Sequence, residues 1–233
     1  MGHPVEALSL TRLSLHRLAE HVLAAALYRE TGRIDLRPRP GGITTPPFGD
    51  NERVIAVELG ALVVRTATGE TREWVTTLRA AATVAGIEAG LPAAAYPAAT
   101  TCPLDAPLVL ETPAMQVLAD WYMLGDVALG RLRAEIAEDA PTEAILWPEH
   151  LDVAITASAI NYGFSPGDDF FDQPYAYVGP HEPPKQAGFW NAPFGAYRPM
   201  NDVPSVDDAI AFLLEGRDRA TATSTSQPAR RNA

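Results

Sequence analysis

From Thr11 to about Glu30 the chain places Leu15, Leu18, Val22 and Ala26 at helical intervals, and Gly32 is positioned to close that helix in a left-handed conformation. His16 and Glu20 share one face of it and His21 points elsewhere, which reads as a solvated polar face in preference to a metal site. After a short extended 34–36, residues 38–49 are dense in Pro and Gly and predict a loop. Its Gly41-Gly42 pair lacks the Lys-Ser or Lys-Thr and the following helix that a phosphate cradle needs. The period then changes to two. Residues 53–59, 61–66 and 71–75 predict a β-meander turning at Gly60 and at Ala67-Thr68-Gly69. Thr76 or Thr77 caps a helix reaching Ile87, with Leu78, Ala81, Val84 and Ala85 as its buried stripe.

Residues 91–110 are rich in Pro and Ala and predict a long ordered connection. Thr112-Pro113 starts a helix to about Glu138 that carries Met115, Leu118, Tyr122, Leu129 and Leu132. Strands are predicted at 145–147, 149–157, 159–163 and 174–179, separated by Pro148 and by the loops 165–173 and 180–184. Ser205, with Asp207 and Asp208 behind it, opens a last helix through Leu214 that Gly216 stops, and residues 217–233 read as a disordered tail. No internal sequence repeat emerges.

This order predicts an α+β fold: residues 1–216 form one domain in which an antiparallel sheet, drawn from both groups of strands, is covered by helices. Long aromatic- and Pro-rich loops would wall a cavity over it. A length of 233 residues suits a single core. The net charge of −11 opposes phosphate backbones and anionic lipid, so neither nucleic acid nor membrane is an expected partner. With no apolar run long enough to span a bilayer, no export signal and a lone Cys102, the expected location is cytoplasmic. Cys102 precedes Pro103 with no basic residue nearby, which makes it a poor nucleophile.

Candidate chemistry collects in the second half. In 149–157 alternation puts Leu151, Val153 and Ile155 on one face and His150, Asp152, Ala154 and Thr156 on the other. A His and a carboxylate two apart can share a proton, orient one another or ligate a metal. Ten aromatic residues fall between Tyr162 and Tyr197, a density that fits either the lining of a concavity or a second aromatic core. Asp168, Asp169 and Asp172 lack the spacing and terminal Glu of a calcium loop, and a Gly-rich turn capped by carboxylates explains them equally well. Those three with His150, Asp152 and His181 offer a mixed His and carboxylate metal site, but without Cys pairs or closely spaced His no metal and no cofactor is expected. Ser165 lacks the Gly-x-Ser-x-Gly elbow of a serine hydrolase.

The segments 146–152 (Leu-Trp-Pro-Glu-His-Leu-Asp), 161–168 (Asn-Tyr-Gly-Phe-Ser-Pro-Gly-Asp) and 174–178 (Pro-Tyr-Ala-Tyr-Val) resemble a family of uncharacterised bacterial proteins grouped as a domain of unknown function. So do 189–195 and the early 40–49 loop. The resemblance implies a site in this region and no particular activity. The expected catalytic residues are His150, as general acid or base, Asp152, orienting it, and Tyr175 and Tyr177 as donors. Trp147, Asn161, Tyr162, Phe164, Asp168, Trp190 and Asn191 are the expected ligand contacts. The partner is then a small organic ligand, bound or transformed. The alternatives are a non-catalytic sequestering or sensing protein using the same pocket, and an interaction module meeting a protein through an exposed aromatic surface.

Overall fold

The computed structural model describes residues 4–225. Its opening helix is continuous but changes winding: α1 (Pro4–Leu18) passes through a π-helical stretch, Ala19–Ala24, and resumes as α2 (Ala25–Thr31), closed by Gly32 at φ 71°. The π-helical stretch holds Glu20 and His21, and both are buried, so the face expected to be solvated is not. The connection 91–110 packs over it. The Glu20 carboxylate accepts from the amides of Ala99 and Thr100, each at 2.8 Å, and Nδ1 of His21 accepts from Leu91 N–H at 3.3 Å.

The remaining elements form two antiparallel five-stranded sheets, each in sequential strand order. The first contains β1 (Arg37–Arg39), β2 (Gly42–Thr44), β3 (Val54–Glu58), β4 (Ala61–Thr66) and β5 (Gly69–Trp74), followed by α3 (Leu78–Ala85). Thr77 caps α3, its hydroxyl accepting from Ala80 N–H at 3.1 Å. After α4 (Thr112–Glu135) the second sheet contains β6 (Ile145–Trp147), β7 (Asp152–Ala157), β8 (Ile160–Ser165), β9 (Tyr175–Pro180) and β10 (Ala196–Pro199), and α5 (Val206–Thr225) closes the described chain. The class is α+β. The single sheet expected is instead two, meeting where Leu36 and Leu146 exchange both backbone hydrogen bonds at 3.0 Å. Each half therefore repeats the order helix, five-stranded meander, helix.

One face of the second sheet presents Val153, Ile155, Tyr162, Phe164 and Val178, all buried in the core. α4 lies on β1, β2, β7 and β8, so it bridges the junction of the sheets. Trp121 of α4 meets Phe164 edge-on at 5.1 Å. α5 covers β9 by close approach: a Cβ on Gly216 would fall 2.6 Å from a Val178 methyl. Gly216 thus does not stop the helix, because what the position requires is the lack of a side chain. Arg217 beyond it donates to Asp139 at 2.6 Å and Glu138 at 2.7 Å, and the helix continues to Thr225 through the first part of the segment expected to be disordered. The rest of that segment, 226–233, lies outside the described residues. Among the described residues no helix is long and apolar enough to cross a membrane.

Candidate functional site

Directly paired residues of antiparallel strands share a face. The pairings Ala154 with Gly163, Gly163 with Tyr177 and Tyr177 with Tyr197 therefore define a row across the face of the second sheet opposite α4. Two residues before Ala154, on the same face, stands Asp152. Tyr177 reaches it because Gly163 intervenes: a Cβ there would lie 2.5 Å from the tyrosine ring. The Tyr177 hydroxyl lies across that gap and donates to Oδ2 of Asp152. The other carboxylate oxygen, Oδ1, is buried with no hydrogen-bond partner, and the residue as a whole is only 6% exposed. Burial raises the Asp152 pKa to about 6, against the opposing pull of the Tyr177 hydrogen bond and of nearby His150. Burial likewise pushes the phenols of Tyr177 and Tyr175 upward, so both act as donors near neutrality.

α4 fixes this ground from behind. Tyr122 donates to the Leu151 carbonyl at 2.7 Å and Trp121 Nε1 donates to the Ser165 carbonyl at 2.8 Å. Leu151 itself sits at φ 54°, a conformation unfavourable for a branched side chain, immediately before Asp152.

These groups open into a cleft of about 840 Å³. Its opposite wall is α1, through Leu10, Arg12, Leu13 and His16, and its end wall is the loop after β8. Arg12 ties the two walls, donating to the carbonyls of Asp172 at 2.8 Å and Pro166 at 3.4 Å. Within the loop, Asp168 accepts from the amides of Phe170 (2.9 Å) and Phe171 (3.1 Å) through one oxygen and from the Tyr175 hydroxyl (2.6 Å) through the other. Asp168 is thereby committed to shaping the turn. Among the described residues no three His, Cys, Asp or Glu side chains gather as a metal site.

Of the residues singled out from sequence, the structure brings His150, Asp152, Asn161, Asp168, Tyr175 and Tyr177 to this cleft. His150 is placed differently from the expected strand alternation. It lies exposed in the turn between β6 and β7, and the side chain bonded to Asp152 is Tyr177. Tyr162 and Phe164 point the other way into the core, as their parity with Val153 and Ile155 requires. Trp147 is half-buried on β6 outside the lining. Trp190 is buried, and its neighbour Phe189 packs on Phe212 of α5. Asn191 clamps β10, accepting from Tyr197 N–H at 2.9 Å and donating to its carbonyl at 3.2 Å.

The aromatic segment thus divides. Tyr162 and Phe164 lie under α4, Phe189 meets α5 with Trp190 edge-on against it, and six (Phe170, Phe171, Tyr175, Tyr177, Phe194 and Tyr197) cluster beside the cleft with centroids 5.1–6.3 Å apart. Sequence reasoning missed the α1 wall. Its one signal was the pair Leu10 and Leu13, apolar yet off the buried stripe and here exposed at the rim. His16, on the same wall, has its pKa lowered by burial, with Glu20 and the backbone of Pro148 and Glu149 opposing. No family model matches the chain, and no curated protein or solved structure matches it either, so function is read from the cleft itself.

Proposed function

We propose that this protein binds, and through Asp152 acts on, a small organic molecule held between α1 and the outer face of the second sheet. The observation that carries this reading is the Asp152 carboxylate, buried in a cleft wall with one oxygen fixed by Tyr177 and the other unpartnered. A buried polar atom without a partner is costly to maintain unless something it binds supplies the missing donor. A carboxyl group titrating near 6 also exchanges protons close to neutrality, as general acid–base chemistry requires. In that chemistry Asp152 takes the acid–base role first expected of His150, Tyr177 orients it, and His150 stands at the mouth. A cleft of about 840 Å³ matches a whole small molecule. The net charge of −11 disfavours nucleic acid, and the lone thiol Cys102 suits a reducing, cytoplasmic setting.

Backbone amide shifts recorded while a mixture of small organic fragments is added test the reading. Movement centred on Asp152, Gly167 and Asp168, lost in Asp152→Asn, is expected. Shifts centred instead on the Trp74 face, outside the cleft lining, would overturn it. A second reading, docking of a protein on the cleft rim, has in its favour the exposure of Leu10, Leu13 and Phe170, and it predicts that fragments leave those three amides unmoved.

A further inference from the structure

Granted that the cleft is a ligand site, its lining also specifies the ligand's charge. We propose that it takes an organic cation, an ammonium or guanidinium on an apolar or aromatic skeleton, whose N–H donates to Oδ1 of Asp152. Three independent features lead there.

The first is the vacant acceptor. Oδ1 of Asp152 is buried and unpartnered, and a carboxylate oxygen removed from water is best satisfied by a charged donor. In the preceding turn Glu149 Oε2 is a second buried oxygen without a partner.

The second is the balance of charge. Glu149, Asp152, Asp168 and Asp169 line the cleft against the single guanidinium of Arg12, whose Nη1 donates to the Asp172 and Pro166 carbonyls. An anionic ligand would meet four carboxylates against one guanidinium, whereas a neutral ligand would leave the Asp152 charge unmatched.

The third is the walls. Phe170, Tyr175, Tyr177 and Phe194 make the lining aromatic, and aromatic rings attract cations, while Leu10 and Leu13 across the cleft offer apolar surface to the skeleton.

Protonation bears on the same site. Asp152 faces Tyr177 from β9, Tyr122 from α4, Glu149 and His150 from its own turn, and the α1 wall that carries Arg12 and His16. A cation needs the Asp152 carboxylate charged, so affinity should fall as pH drops through about 6.

The test compares three probes of one shape on the full chain at pH 7.5 by titration calorimetry, with amide shifts to locate them: 2-phenylethylamine, 2-phenylethanol and 3-phenylpropionate. The amine should bind at least about tenfold more tightly than the alcohol and the carboxylate most weakly, since a charge-assisted bond exceeds a neutral one by about that factor. Asp152→Asn should erase the amine's advantage. Glu149→Gln, in the β6–β7 turn, should reduce it a few-fold. Alcohol or carboxylate binding as tightly as the amine in the wild-type chain overturns the cationic assignment and leaves the cleft standing as a ligand site. Failure of all three to move the Asp152, Gly167 and Asp168 amides overturns both.

Discussion

Burial raises the pKa of Asp152 from 3.8 to about 6 in the native protein, while in the unfolded chain it returns to the ordinary carboxylate range. For an acid with a raised native pKa, the protonated form stabilises the fold. That contribution is complete below about pH 4 and is lost as pH rises through about 6, a difference worth roughly 3 kcal/mol. Asp152→Asn carries no such charge and still accepts from Tyr177. Urea unfolding should find the variant about 1–3 kcal/mol more stable than wild type at pH 7.5, with the gap cut to about a third at pH 4.5 and closed only well below pH 4. A gap independent of pH would show that Asp152 is not the titrating group. Gly163→Ala tests the geometry from the other side. A Cβ 2.5 Å from the Tyr177 ring must displace it, leaving Asp152 without its one side-chain donor, at a cost of about 1–3 kcal/mol in the melting transition. At this scale the face of Asp152 was legible because period two assigns a residue its face, whereas Tyr177 was named only as one of two tyrosine donors. His150 was misplaced because the strand starts later than its apolar neighbours imply: Leu151 turns at φ 54°, and local pattern does not report a left-handed residue that is not Gly or Asn.

Among the elements, the β7–β8 hairpin carries visible strain. Ala157 pairs with Ile160, so the connection is the two residues Ser158 and Ala159, at φ 46° and 63°. A two-residue turn with both φ positive matches the right-handed twist of its strands but favours Asn-Gly. The corresponding turn between β3 and β4 places Gly60 at its second position. Replacing Ser158-Ala159 by Asn-Gly should stabilise the protein by about 1–2 kcal/mol, read as a rise in Tm of a few degrees, with the loss of the Ser158 bond to Asp139 as a small offset. An unchanged or lower Tm would mean that the hydroxyl contact outweighs the backbone strain. Helices and the longer strands were legible because their apolar positions repeat within one element. β1, β2 and β10 were not, since three- or four-residue strands containing Pro38, Gly42 and Pro199 carry too little pattern and exist by pairing with distant residues. The burial of Glu20 and His21 was hidden for the same reason: a segment some 80 residues later covers them.

Across the whole molecule, the two halves share an element order that their sequences do not reveal, because loop lengths and side chains differ while the succession of helix, meander and helix is kept. Their first strands meet antiparallel at Leu36 and Leu146, the pairing that a two-fold axis would impose on two copies of one unit. Such a joint, with one bridge of backbone, would hold two independent units only loosely. α4, however, packs against β1 and β2 on one side and β7 and β8 on the other, so that neither sheet can open without uncovering buried Met115, Leu118, Trp121 and Tyr122, and this predicts a single cooperative body. Native-state hydrogen exchange should therefore give the amides of Ile55 and Leu62 in the first sheet the same opening free energy and denaturant slope as those of Tyr162 and Val178 in the second. Leu146→Ala, which removes a fully buried side chain at the joint, should lower all four by the same amount, about 2–5 kcal/mol. Were only Tyr162 and Val178 to exchange faster, the halves would unfold separately. The cleft, built from α1 of the first half and the sheet of the second, would then assemble only when both are folded, and ligand binding would protect the two sets of amides together.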